Sequence, residues 1–309
     1  MSVRVGTCSW ADDSLSKLWY PPGVSSAEAR LRYYADQFDT VEVNSSYYAL
    51  PTAEMATAWA ARTPPGFVFH VKAFAMMTRH PVKVEQLPPE LRSEAAFDER
   101  GRVDHPSQEL RAEVFRRFCR AIEPLRAAGK LGGVLVQLPP YIVAKPESMA
   151  YLEWAREQLP GEQMMVEFRH RSWLDDAHLE QTLRFLEELP ATYVIVDAPR
   201  MDGNNVAPTV IARTSQTAYL RLHGRNKLTW NKRGGSASER FDYLYRRAEL
   251  AEWVEPLREL AAGGDVYAMF NNNGRSTDVA GNPFAQAPAN AAELLELLGE
   301  AGVPVAAAR

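Results

Sequence analysis

The stretch Thr40-Val41-Glu42-Val43-Asn44 alternates apolar and polar residues and follows a helix-like segment, Ser25 to Phe38. Alternation is the period of a strand, so Val41 and Val43 turn toward covering helices while Glu42 and Asn44 turn to the opposite face. The preceding segment opens on serines suited to capping, Ser25 or Ser26, and spaces Leu31, Tyr34 and Phe38 along one helical face. The same alternation of helix and strand recurs along the chain. Runs rich in Val, Phe, Ile and Tyr at Val3–Cys8, Thr40–Asn44, Phe67–Lys72, Gly133–Gln137, Met164–Arg169, Thr192–Asp197, Ala218–His223 and Val266–Asn271 read as buried strands. Between them, helices are expected over Gln108 to Ala128, Glu147 to Leu159, Asp175 to Leu189, Tyr243 to Ala261 and Ala289 to Leu298. Gly129, Gly161 and Gly263 fall where such helices should end.

Strands alternating with helices predict a parallel α/β sheet. Eight of them in 309 residues predict a closed (β/α)8 TIM-type barrel spanning residues 1–309 as a single domain. An open doubly wound sheet would often carry a glycine-rich phosphate loop after its first strand, and Gly6-Thr7-Cys8-Ser9-Trp10 lacks that pattern. Long loops follow strands three and seven, Phe74 to Pro106 and Gly224 to Arg240, the second centred on Gly234-Gly235-Ser236. Loops of such length in compact domains are usually functional lids or disordered.

Composition narrows the function classes. With 46% hydrophobic and 24% charged residues the chain is not of the disordered type. Thirty-five Lys plus Arg against 39 Asp plus Glu leave a net charge of -4, which disfavours a broad nucleic-acid surface. No run of about 18 apolar residues suggests a membrane span, and Met1 to Gly6 enters a strand rather than a signal core. Cys8 and Cys119 lie far apart with no metal spacing, so a reduced, cytoplasmic protein is expected, with Cys8 an inert buried thiol.

Barrel enzymes carry their chemistry at the C-terminal strand ends. Here those ends bring Glu42 and Asn44, His70 and Lys72, Gln137, Glu167 with Arg169 and His170, Asp197, Arg221 with His223 and Arg225, and Asn271 to Asn273. The strand beginnings are apolar, and a buried charge without a partner costs several kcal/mol. A polar pocket for a small anionic or polyhydroxylated ligand follows. The plain alternative is a structural network in which Glu42, Glu167 and Asp197 neutralise Lys72, Arg169 and Arg221.

Three functional readings follow from these residues. The leading one is metal-free acid/base catalysis with Glu167 and His223 central and Glu42 and Asp197 supporting. Lys72, Arg169, Arg221 and Arg225 would bind the anion, with His70, His170, Gln137, Asn44 and Asn272 as further contacts, and Trp10 and Tyr47 as aromatic walls. No cofactor is expected in that reading. The second is a phosphoesterase or nuclease assisted by a single zinc or manganese ion, although no H-x-x-H or H-E-x-x-H spacing marks its site. Of the six histidines, His80, His105 and His178 are expected outside the strand ends. Nucleic acid is the disfavoured ligand, suggested by Arg169-His170-Arg171 and by Lys227-x-x-Trp230-x-Lys232-Arg233. The third reading is a ligand-binding barrel without chemistry. Nothing in the sequence points to a protein partner.

Seven motifs occur in order: Gly6-Thr7-Cys8-Ser9-Trp10, Thr40 to Tyr48, Phe67 to Lys72, Gln137-Leu138-Pro139-Pro140, Glu167 to Trp173, Arg221 to Arg225, and Phe270-Asn271-Asn272. Jointly they resemble the YecE-like family, also catalogued as domain of unknown function seventy-two. The resemblance implies a single TIM-type barrel and supplies no reaction, substrate or cofactor. One departure stands out. Asn273 occupies a position where such proteins often have His, and a longer stretch, Gly274 to Ala289, precedes Asn290-Ala291.

Overall fold

A computed structural model describes residues 2–201, 203, 206–230 and 237–306. Eight parallel strands close into a barrel: β1 Val3–Thr7, β2 Thr40–Val43, β3 Val68–Lys72, β4 Leu131–Gln137, β5 Met164–Glu167, β6 Ala191–Asp197, β7 Thr217–Leu222 and β8 Asp265–Phe270. Closure runs through β1 and β8, where Val3 pairs with Val266 and Thr7 with Phe270. Around the barrel lie α1 Asp13–Leu18, α2 Ala27–Gln37, α3 Ala53–Ala61, α4 Gln108–Ala127, α5 Pro146–Glu157 and α6 Leu179–Glu188. They are followed by α7 Ala237–Arg240, α8 Arg247–Ala251, α9 Val254–Ala262 and α10 Gln286–Glu300.

Side-chain alternation divides the core into two layers. Val41 and Val43, Phe69 and Val71, Val134 and Val136, and Val166 turn outward and pack with the helices. Leu135, Met165, Val194, Tyr219, Tyr267 and Met269 turn inward and form a second cluster in the barrel. α2 shows how the outer layer is set. Ser26 Oγ accepts from the Ala29 amide at 3.0 Å, while Leu31 and Tyr34 are buried on one face; such a cap contributes about 1 kcal/mol. Gly129 ends the α4 segment at φ 65°, a left-handed conformation that glycine adopts without a Cβ clash.

Three expectations about helices need correction. The helix expected from Asp175 starts at Leu179, because Asp175 instead makes a turn in which its carboxylate accepts from the His178 amide. The helix expected over Tyr243 to Ala261 is two short ones, α8 and α9. Its first residues cannot coil, since the Tyr243 and Tyr245 amides donate to Gln286 Oε1 and Asn290 Oδ1, both at 3.0 Å. α3, with Thr52 as its cap, was not anticipated.

The insertion after β3 is folded, not a bare loop. Phe74, Met76, Met77, Leu87 and Leu91 bury against the main core. The stretch from Gly274 contains a small antiparallel pair, β9 Arg275–Thr277 and β10 Pro283–Ala285, leading directly into α10. In the insertion after β7, Lys232, Arg233 and Gly234-Gly235-Ser236 lie outside the described residues. Among the described residues no helix is long and apolar enough to cross a membrane.

Candidate functional site

The inward positions near the strand ends assemble a buried charge cluster on the barrel axis. Arg221 grips Glu42 with two bonds, Nη2 to Oε1 at 2.6 Å and Nε to Oε2 at 3.0 Å. Its third nitrogen, Nη1, donates to Glu167 Oε2 at 2.5 Å. Tyr219 donates its hydroxyl to Glu42 at 2.9 Å, and Gln137 Nε2 donates to Glu167 Oε1 at 2.6 Å. Arg169 Nη1 reaches the same Glu167 oxygen at 3.3 Å, as does His223 Nε2. Asn271 places its amide nitrogen 2.9 Å from His223 Nδ1. With Nδ1 accepting, the ring proton sits on Nε2 and faces Glu167.

Glu42, Glu167 and Arg221 are fully buried, and His223 is sealed beneath Phe241, which stacks on its ring, and Trp230. Burial alone would push the Glu167 carboxyl up, but Arg221, His223 and Arg169 hold it well below the usual carboxylate range. Burial pushes His223 down to about 4, with Glu167 opposing. Cys8 Sγ lies against Arg221, and burial and Glu42 keep its thiol protonated. A carboxylate this firmly ionised is poorly matched to accepting a proton near neutral pH. Glu167 therefore works here as an anchor for Arg221 and His223, and Glu42 anchors Arg221 through its two hydrogen bonds.

Above this cluster is a rim of less buried groups. Lys72 ends β3 partly exposed, its Nζ 4.6 Å from the centre of the Tyr47 ring. Among the described residues that Nζ has no hydrogen bond or ion pair. Burial and Arg221 push Lys72 down to about 8, against Glu42 and Glu167. Arg169 lies 4.8 Å over the Trp230 ring. Arg240, from α7, acts electrostatically on both Arg169 and Tyr47, and its Nε is buried with no partner among the described residues. His80 packs edge-on against Tyr47, and burial together with Lys72 and Arg169 pushes it down to about 3. Its position corrects the expectation that His80 lies away from the strand ends: the insertion after β3 folds back and carries it to the rim.

Other expected site residues lie elsewhere. Asp197 shares the outward parity of Tyr193 and Ile195 and binds Arg225 at 3.0 Å, which also pairs with Glu252 at 2.9 Å. That pair ties β6 and β7 to the outer shell. The expected balance of Glu42, Glu167 and Asp197 against Lys72, Arg169 and Arg221 holds for Glu42 and Glu167, which pair with Arg221 and Arg169, and fails for Asp197 and Lys72. Asn272 also points outward, donating to Tyr243 O and Asn290 Oδ1; Asn271 holds the inward place. His170 accepts from the Ser172 amide and caps a short turn. Trp10 packs against Trp59 and Phe69 in the outer core. His70 is buried deeper in the barrel between Tyr219 and Tyr267, with neither ring nitrogen bonded. Asn44 donates to Cys8 O at 2.8 Å and joins the first two loops at the barrel mouth. Parity counted from Tyr267 and Met269 would have found Asn271.

A cleft of about 920 Å³ opens among the segments that follow β5, β6 and β7, lined by Arg171, Asp197, Arg200, Arg225, Lys227 and Trp253 among others. Its Asp197, Arg225 and Glu252 charges satisfy one another, while Arg171, Arg200 and Lys227 have no ion pair among the described residues; the rim is the candidate because its cations act on the axial cluster itself. Among the described residues no three His, Cys, Asp or Glu side chains converge as they would to hold a metal ion.

Comparison with known proteins places this geometry in a family. Residues 4–308 match the family model described as "Protein of unknown function DUF72". The UPF0759 protein YunF of Bacillus subtilis (strain 168) is 34% identical over 277 residues, covering 88% of this chain and 89% of that protein. The crystal structure of a DUF72 family protein from Thermotoga maritima MSB8 is 30% identical, with a TM-score of 0.74, over 97% of this chain and 100% of that one. A DUF72 family structure from Enterococcus faecalis V583 has a TM-score of 0.75 at 24% identity, covering 96% and 95%. This chain, a closed barrel that matches the family model over nearly its whole length, belongs to the DUF72 family.

Proposed function

We propose that the protein is an enzyme for a small anionic substrate, bound at the rim of the barrel and turned over by acid/base chemistry on the protein's own groups. One observation carries the reading. Arg221 takes both axial carboxylates, Glu42 and Glu167, so Lys72 and Arg240, both close enough to Arg169 to act on it electrostatically, have no carboxylate partner among the described residues. Unpaired cations at a partly desolvated site are what a phosphate or carboxylate group needs. Arg169, steadied by Glu167 and Trp230, presents its guanidinium beside them.

The acid/base role moves from Glu167 and His223 to Lys72, the partly exposed rim group poised near neutrality. His223 and Asn271 then keep Glu167 and Arg221 in register beneath it. The test is calorimetric titration with orthophosphate. Binding should weaken about tenfold or more in Arg169→Ala, the loss expected of one charge-assisted hydrogen bond. Wild-type protein that binds no phosphate and no simple carboxylate contradicts the reading.

A further inference from the structure

We propose that the Lys72 amine is a nucleophile that condenses with a small carbonyl compound bearing an anionic group, a proposal that rests on the anion-binding reading above. Among the described lysines its surroundings are unusual. Lys130 is buried but bonded to Ala60 O at 2.6 Å and Thr63 O at 2.7 Å, which occupies its ammonium. Lys17 and Lys145 pair with Asp13 and Glu147, and Lys83 and Lys227 are exposed. Lys72 alone among them is half-buried at a strand end with its nitrogen unengaged, set on an aromatic face with Arg221 and Arg169 acting on it. Neighbouring cations and partial desolvation raise the neutral fraction of an amine, which is what makes a lysine nucleophilic. A carboxylate partner would do the opposite, and Arg221 already holds both that are near.

The condensation balances without any oxidant. Neutral Nζ adds its electron pair to the carbonyl carbon, forming the C–N bond, and the carbonyl oxygen takes up a proton. The nitrogen then loses its remaining protons, one with each step, and the oxygen leaves as water, giving the C=N bond. Arg169 and Arg240 hold the anionic group of the same molecule, placing the carbonyl against Nζ.

The experiment treats the full chain with dihydroxyacetone phosphate and borohydride, beside dihydroxyacetone and borohydride, and maps adducts by mass spectrometry. Borohydride delivers hydride to the C=N bond and leaves a stable secondary amine. Labelling concentrated on Lys72, about tenfold or more faster with the phosphate-bearing probe and suppressed by orthophosphate, supports the proposal. Lys72→Arg keeps the positive charge but removes the amine, so labelling should fall to that of surface lysines; persistence at the wild-type level overturns it. Phosphate binding by calorimetry with no Lys72 adduct overturns this inference and leaves the anion site standing. Neither binding nor adduct removes both, and labelling spread evenly over the lysines overturns the proposal.

Discussion

The axial cluster and the rim both hold cations beside aromatic rings and satisfy them in opposite ways. In the cluster, Arg221, Glu42 and Glu167 are wholly buried, and four donors converge on Glu167. At the rim, Lys72 is partly exposed and, among the described residues, its Nζ has only the Tyr47 ring and no hydrogen bond or ion pair, while Arg240 Nε is buried with no partner. A saturated network in low dielectric holds its members rigid. Unsatisfied charge above it is free to meet a ligand. The contrast teaches that the deepest charges of the barrel can serve as a stiff floor, leaving the rim above them as the place where charge stays open to a ligand.

Breaking the floor should have the largest effect. Arg221→Met leaves Glu42 and Glu167 buried without their counter-ion, which should cost about 3–5 kcal/mol in urea unfolding. A cost below about 1 kcal/mol would mean that the cluster is wet or loosely held, and the contrast with the rim would fail.

Acid sharpens the same contrast. Burial, aided by Arg4, pushes His70 down to about 3, and burial pushes His223 down to about 4. Both rings are folded in neutral form, so the unfolded chain takes up protons that the folded chain refuses. Their contribution is full above about pH 6.5 and lost as pH falls toward 4, with a slope approaching ~1.4 kcal/mol per pH unit for each ring. Glu167, held low, adds a loss in the same sense below the usual carboxylate range. His70→Phe should flatten the slope of stability between pH 6.5 and 4; an unchanged slope would show that His70 is not buried as a neutral ring.

The sequence makes the barrel legible because strands buried by helices need β-branched, alternating runs, and all eight lie where those runs occur. Glu42, Glu167, Arg221 and His223 are likewise legible, since polar residues of inward parity at strand ends converge by geometry alone. Asp197 and Asn272 sit at strand ends but share the outward parity of Ile195 and Phe270, so a strand-end position without the right parity does not bring a residue to the axis. His80 and Arg240 arrive from insertions, where no period connects a residue to the barrel axis. The tethering of Tyr243 and Tyr245 by Gln286 and Asn290 splits an apolar pattern that reads as one helix, and such long-range bonds leave no local trace.

The account is tested most directly by titrating Lys72 itself, with lysine-specific isotope labelling and the resonance assigned through Lys72→Arg. In free protein it should titrate near pH 8, as burial and Arg221 require. With saturating phosphate its midpoint should rise by about one unit or more, because an anion at the rim favours the charged form. A midpoint near ~10.4, the value of an ordinary exposed lysine, unmoved by phosphate, would contradict the account.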